Sequence, residues 1–156
     1  MAIDAPPLLD LRGFTIPGTP PLFSALQPEH QRVVTRLGET FAAAGGELYL
    51  VGGPVRDLLL GAAPADLDFT TDRPTEETAE LGKAAGASAV FLIGERFGTV
   101  GFAFPSEGGA PPFTVEVTTY RKETYPDSTR KPAVEHGVSL ADDLSRRDFT
   151  INAIAA

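Results

Sequence analysis

The sequence contains no cysteine and only two histidines among its 156 residues. The absence of cysteine excludes disulfide bonds and every thiolate metal site, and two histidines are too few for an ordinary structural zinc site. A bound metal ion would therefore be held mainly by oxygen ligands. Such ligands are the ones that Mg²⁺ and Mn²⁺ prefer.

Long apolar runs and a surplus of basic charge are also missing. No stretch approaches the roughly 18 uninterrupted apolar residues of a membrane span, and the first ten residues carry acids where a secretory signal has basic residues and an apolar run. The net charge of −8 argues against a surface that coats nucleic acid. We therefore expect a cytoplasmic protein without a membrane partner or a disulfide-linked partner.

Length and composition predict one domain with an extended leader. A hydrophobic content of 42% in 156 residues is enough for a real core. Prolines are dense in residues 1–28, which predicts a Pro-rich leader that approaches the first helix. We assign the globular domain to residues 29–156.

Hydrophobic periodicity predicts an α/β domain with a small mixed sheet of about five strands. Apolar spacing and helix-start signals predict helices over 29–44, 54–60 and 75–85. Short apolar runs predict strands at 48–51, 67–71, 89–93, 99–104 and 113–119. Residues 121–137 are polar and contain two prolines, so we predict a flexible loop there and a last helix over 148–156.

Two glycines followed by two acids form the most informative pattern. Asp66 and Asp68, two residues apart on a strand, would project from one face, where carboxylates can bridge divalent ions about 3.5–4 Å apart. Gly52 and Gly53 let the backbone approach a triphosphate, and Arg56 would add a guanidinium to it. Each motif alone has an ordinary structural explanation as a turn or a solvated acid. Their combination favours a site for phosphate and metal.

Glu116 is a further acid in an otherwise apolar strand. It alternates with Val115 and Val117, which face the other side. An acid in such a strand is costly unless it binds a ligand, forms an ion pair or reaches water. Two interpretations stay open, namely a third catalytic carboxylate and a solvated side chain on an edge strand.

The segment from Leu50 to Gly61, followed by residues 64–71, resembles the signature of the class II tRNA nucleotidyltransferase and bacterial poly(A) polymerase family. Residues 93–100, 115–121 and 146–153 resemble the family's later blocks in the same order. The resemblance implies a polymerase-beta-like head that adds CMP and AMP, from CTP and ATP, to a tRNA 3′ end with release of pyrophosphate. A poly(A) polymerase head, a head that adds only CC or only A, and an inactive nucleotide-binding fragment are the alternatives.

The resemblance also implies roles for particular residues. Asp66 and Asp68 would be catalytic and would bind Mg²⁺ or Mn²⁺, with Glu116 as the candidate third carboxylate. The implied nucleotide-binding residues are Gly52, Gly53, Arg56, Arg147, Asp148 and Asn152. Among these, Asp148 would sense the ribose 2′-hydroxyl.

Residues 125–132 resemble the flexible loop of the family, with Asp127 and Arg130 as its acidic and basic residues. Ser128 and Thr129 replace the usual Gly-Arg of that loop. The helical motif with which the family selects its base has no match in the chain. We therefore expect the neck, body and tail domains to be absent from this chain and most tRNA contacts to lie in them.

Overall fold

The structure, a computed structural model, describes residues 22–94, 98–109, 111–124 and 133–156. The helices are α1 (Pro28–Ala43), α2 (Gly53–Leu59), α3 (Thr75–Ala84) and α4 (Leu140–Ser145). The strands are β1 (Leu48–Leu50), β2 (Leu67–Thr71), β3 (Ala89–Ile93), β4 (Thr99–Phe104), β5 (Phe113–Thr119), β6 (Arg121–Thr124) and β7 (Ala133–His136). Short 3₁₀ turns occupy Leu22–Ala25, Glu107–Gly109 and Thr150–Asn152. In these described ranges, every helix is too short or too polar to cross a bilayer.

Five strands form the main sheet, in the spatial order β1-β2-β5-β4-β3. The central pair, β2 and β5, is parallel, while every other neighbouring pair is antiparallel. The chain leaves β2, passes through α3 and the β3–β4 pair, and returns as β5 beside β2. The α/β class and the mixed sheet of five strands are thus confirmed, and the predicted bounds of β2 to β5 match the structure.

Alternation along the central strands gives the sheet two different faces. One face is apolar and packs under α1 and α3; its fully buried side chains include Val100, Phe102, Val115 and Val117. Burying each such side chain contributes about 1.5–3 kcal/mol. The other face carries a row of residues paired in register across β2, β5, β4 and β3, namely Asp68, Glu116, Gly101 and Phe91. We call this side the open face.

The C-terminal segment is not the helix that we predicted for residues 148–156. After the 3₁₀ turn at Thr150–Asn152 the chain extends, and Ala155 forms an antiparallel bridge with Val51. Leu50 and Ala156 exchange two backbone hydrogen bonds, of 2.8 and 2.9 Å. This pairing satisfies the outer edge of β1, whose backbone groups a helix at the same place would leave without partners.

Residues 121–137 are likewise not a continuous loop. β6 and β7 pair antiparallel, with Arg121 opposite His136 and Thr124 opposite Ala133. This two-stranded ribbon is polar, so it lacks the apolar alternation by which strands are recognised in a sequence. α4 follows it and begins with a capping box, in which Ser139 and Asp142 bond to each other's backbone N–H groups.

Candidate active site

The acids of the predicted site gather at the start of β2. Asp68, the second residue of β2, pairs in register with Glu116 of β5, so both side chains leave the sheet on its open face. Asp66 precedes the strand and lies in a bend. The strand geometry expected for both aspartates therefore holds only for Asp68. Asp68 is half-buried, whereas Asp66 and Glu116 are exposed.

The three carboxylates repel one another. Burial, followed by the charges of Glu116 and Asp66, raises the pKa of Asp68 above its ordinary value, and the nearby Arg147 guanidinium opposes that rise. Asp66, Asp68 and Glu116, which we call the acidic row, thus concentrate negative charge that Arg147 offsets only in part.

The donor chemistry of this row suits a hard divalent cation. Within the described residues, no three acidic or histidine side chains are grouped closely enough to enclose a metal ion by themselves. Asp66 and Asp68 nevertheless offer carboxylate oxygens, which Mg²⁺ and Mn²⁺ prefer, with the remaining positions left to water or phosphate. Burial and the charges of Glu116 and Asp66 raise the pKa of Asp68, and a bound cation would oppose that rise by stabilising the ionised carboxylate.

The turn between β1 and α2 is shaped by its two glycines. Gly52 has a φ of 71° and a ψ of −130°, a conformation essentially restricted to glycine. A Cβ placed on Gly52 would lie 3.8 Å from Nη1 of Arg147, and one on Gly53 would lie 3.6 Å from Nη2 of Arg56. Two guanidinium groups therefore border a backbone turn that has no side chains of its own.

Arg56 is fixed by two partners. Its Nε and Nη2 donate to Oδ1 of Asp57 at 2.9 and 2.8 Å, and its Nη1 donates to Oδ1 of Asn152 at 3.1 Å. The extended C-terminal segment brings Asn152 to this place, because its pairing with β1 sets it alongside the Gly52 turn. The structure thus joins three residues of the predicted nucleotide site: Gly53, Arg56 and Asn152.

Arg147 is held by a residue that sequence reasoning missed. Asp143 of α4 is completely buried, and its Oδ2 accepts from Nη2 of Arg147 at 3.1 Å. Arg146 donates to Oδ1 of the same carboxylate from Nε and Nη2, at 3.2 and 2.9 Å. An acid three and four residues before two arginines is a recognisable helical pattern, but it carries that meaning only once α4 is known to be a helix.

Asp148 lies in the exposed turn that follows these arginines. The next residue, Phe149, has a φ of 56° and is 78% exposed, an uncommon backbone conformation for a residue with a side chain. Arg146 and Arg147 directly follow α4, which ends at Ser145. Asp127 and Arg130, the predicted loop residues, lie outside the described residues.

Comparison with known proteins gives a consistent picture. A family model for the poly(A) polymerase head domain matches residues 48–156. The CCA-adding enzyme of Lactobacillus helveticus is 42% identical over 118 residues, which are 75% of this chain and 27% of that enzyme. This chain therefore spans about a quarter of the length of the curated relatives that it matches.

Solved structures match the fold as well. The CCA-adding enzyme of Bacillus stearothermophilus, determined in complex with CTP, superposes with a TM-score of 0.62 at 32% identity and covers 83% of this chain and 28% of its own. The CCA-adding enzyme of Thermotoga maritima, determined in complex with tRNA, gives a TM-score of 0.63 at 28% identity and covers 86% and 27%.

Proposed function

This chain belongs to the poly(A) polymerase head-domain family, and from that membership we propose that it is the nucleotidyltransferase head of a CCA-adding enzyme. Relatives of that name have been solved with CTP and with tRNA. We propose CTP and ATP as the nucleotide substrates, the 3′ end of tRNA as the acceptor and the cytoplasm as the location. Because the chain spans about a quarter of those relatives, we expect most tRNA contacts to lie outside it.

One observation carries the proposal. Two arginines from distant parts of the sequence, Arg56 and Arg147, meet at the Gly52–Gly53 turn, and the guanidinium of Arg147 also acts on Asp68. A triphosphate needs cations and an accessible backbone on one side, and a divalent cation needs carboxylates on the other. The site supplies both within one small region, which suits a nucleoside triphosphate bound with its metal ion.

The proposed reaction joins the RNA 3′-oxygen to the α-phosphorus of CTP or ATP. The bond between that phosphorus and the bridging oxygen breaks, pyrophosphate leaves, and the hydroxyl proton passes to a carboxylate of the acidic row. Arg56 and Arg147 would hold the phosphates in line, since positioning and charge neutralisation dominate phosphoryl transfer. When bound at Asp66 and Asp68, Mg²⁺ or Mn²⁺ would supply further neutralisation of the phosphate charge.

We assign the choice of sugar to Asp148, which is exposed directly after Arg147. A carboxylate there would accept a hydrogen bond from the ribose 2′-hydroxyl, and such a charge-assisted bond contributes about 1.5–3 kcal/mol. ATP should then outbind dATP by about tenfold or more, and Asp148→Ala should remove most of the difference. An unchanged ratio of the two dissociation constants in the variant would contradict this role.

Calorimetric titration with CTP and Mg²⁺ tests the central proposal. The double variant Asp66→Ala/Asp68→Ala should lose metal-dependent CTP binding by at least about tenfold, as expected for charge-assisted contacts. Glu39→Gln, which changes an exposed acid of α1, serves as the control and should bind like the wild type. Equal metal-dependent binding by the double variant and the wild type would refute the assignment.

A further inference from the structure

The buried carboxylate of Asp143 accepts hydrogen bonds from four different residues. Oδ1 accepts from the Arg146 side chain and from the backbone N–H of Arg121, and Oδ2 accepts from Arg147 and from the Thr70 hydroxyl. These donors come from β2, β6 and the turn after α4. A carboxylate that is 0% exposed can persist in a core only with such partners.

The two amino groups of Arg147 have different surroundings. Nη2 is bound to Asp143, while Nη1 lies toward the turn at Gly52. The third nitrogen, Nε, is buried and has no hydrogen-bond partner within the described residues. In this part of the chain, the direction of the guanidinium therefore depends on a single ion pair, that with Asp143.

The same carboxylate connects Arg147 to the strand of the acidic row. Thr70 follows Asp68 by two residues on β2 and points to the same side of the sheet. Its hydroxyl lies 3.2 Å from Oδ2 of Asp143, the oxygen that accepts from Arg147, and 3.0 Å from the backbone carbonyl of Thr118, so its one proton is shared between these two acceptors. The position of Arg147 is thus fixed relative to β2, and so relative to Asp68, through one buried oxygen atom.

We infer that Asp143 is a positioning residue, which sets the Arg147 guanidinium between the Gly52 turn and Asp68 so that it meets the phosphates of the nucleotide. This inference rests on the proposed function, because it requires Arg147 to bind the triphosphate. Asp143 itself stays buried and touches neither substrate nor metal ion. Its effect on the nucleotide is transmitted through Arg147.

A double-mutant cycle on CTP affinity tests the inference. Arg147→Ala and Asp143→Asn should each weaken CTP binding by about tenfold, the size expected for a charge-assisted contact. The double variant should bind CTP no more weakly than the weaker-binding single variant, because both substitutions remove the same interaction. Combining Asp143→Asn with Arg56→Ala should instead multiply the two losses, since Arg56 is held by Asp57 and Asn152.

Two further variants separate positioning from general support of the fold. Arg146→Ala removes a different ion pair of the same carboxylate and should change CTP affinity by less than about twofold, although it lowers stability. If Asp143→Asn does not fold, Thr70→Val removes one donor to Oδ2 and should weaken CTP binding in the wild-type background but not in Arg147→Ala. Circular dichroism confirms that each variant compared is folded.

The outcomes distinguish this inference from the proposed function. Unchanged CTP affinity in Arg147→Ala would overturn the triphosphate site and the inference together. A loss in Arg147→Ala that multiplies with the loss in Asp143→Asn or Thr70→Val would overturn only the inference. An equal loss in Arg146→Ala and Asp143→Asn would also overturn it, because Asp143 would then act by supporting the fold in general.

Discussion

Asp68 and Asp143 are two aspartates that share Arg147 as a neighbour but differ in every other contact. Asp143 is fully buried and surrounded by donors from two arginines, a hydroxyl and a backbone N–H. Asp68 is half-buried; this burial raises its pKa, and its other charged neighbours, Glu116 and Asp66, raise it further. The protein's own donors balance the charge of Asp143, whereas the charge of Asp68 is balanced only in part.

This difference separates a structural acid from one that faces a ligand. Uncompensated repulsion lowers the stability of a fold, and it concentrates at sites where a ligand completes the charge balance. The raised pKa of Asp68 fits a place reserved for a cation. The donors around Asp143 satisfy its carboxylate before any ligand binds, and we call this residue the anchor of Arg147.

Removing the anchor should have the largest effect on stability. Asp143→Ala leaves the partly buried guanidinium groups of Arg146 and Arg147 without their acid, and breaking an ion pair whose carboxylate is buried in this way costs about 3–5 kcal/mol. Urea denaturation measures the free energy of unfolding. Asp57→Ala, which breaks the partly exposed pair with Arg56, is the control and should cost less than about 1 kcal/mol. Equal losses in the two variants would remove the contrast between anchor and surface pair.

A smaller loss should follow from weakening the helix that carries the anchor. Ser139→Ala removes the side-chain acceptor of the α4 capping box, which costs about 1 kcal/mol for a typical N-cap. Because the Asp143 carboxylate keeps its donors, CTP affinity should stay at the wild-type level. Ser145→Ala, at the exposed end of the same helix, should cost no more than about 0.5 kcal/mol. A drop in CTP affinity in Ser139→Ala would mean that helix stability, and not the carboxylate, controls Arg147.

The main sheet, which carries Asp68, and the C-terminal part, which carries Asp143, also differed in how far the sequence predicted them. Strands β2 to β5 have the predicted bounds, because a continuous or alternating apolar run in a buried sheet leaves a clear signal. β6, β7 and α4 escaped prediction, since a polar ribbon and a helix of six residues carry too few apolar positions to show a period. Our prediction of a helix over residues 148–156 was wrong because this segment pairs with the edge of β1, a long-range pairing that local sequence does not encode.

The candidate site divides in the same way. Gly52, Arg56 and Asp68 follow from local motifs, and the structure brings them to one region. Asp143 could not be recognised, because its importance comes from burial and from donors as distant in sequence as Thr70. Charge spacing alone would also have allowed an exposed helix face with ordinary surface ion pairs.

Removing the charge of Asp68 should not destabilise the protein. Asp68→Asn abolishes a carboxylate whose neighbours repel it, so the free energy of unfolding should stay constant or rise by less than about 1 kcal/mol, since water screens a half-exposed group. The same variant should lose metal-dependent CTP binding. Asp72→Asn is the matched control, because Asp72 lies 3.3 Å from the Arg73 guanidinium and should lose stability when neutralised. A loss in Asp68→Asn as large as in Asp72→Asn would contradict the contrast between repelled and paired acids.

The smallest effect on stability is expected at Glu116. β5 pairs with β2 and with β4, so the edge strand of our second interpretation was wrong, and the open choice is between a third carboxylate ligand and a solvated side chain on an interior strand. Glu116 is exposed on β5 and its charge acts on Asp68, so Glu116→Gln should change stability by no more than about 0.5 kcal/mol. We expect Glu116→Gln to lose Mn²⁺ affinity severalfold in the presence of CTP. Electron paramagnetic resonance measures this affinity, because the signal of the free ion disappears as Mn²⁺ binds. Salt distinguishes the causes, because a charge acting through solvent is screened within about 8 Å at 0.15 M ionic strength, whereas a direct ligand is not. A loss of Mn²⁺ affinity that persists in high salt identifies Glu116 as a third carboxylate ligand, and a loss that disappears in high salt identifies it as a nearby charge. The control is Glu76→Gln on α3, which should not change Mn²⁺ affinity. If Glu116→Gln behaves like this control, Glu116 is a solvated side chain.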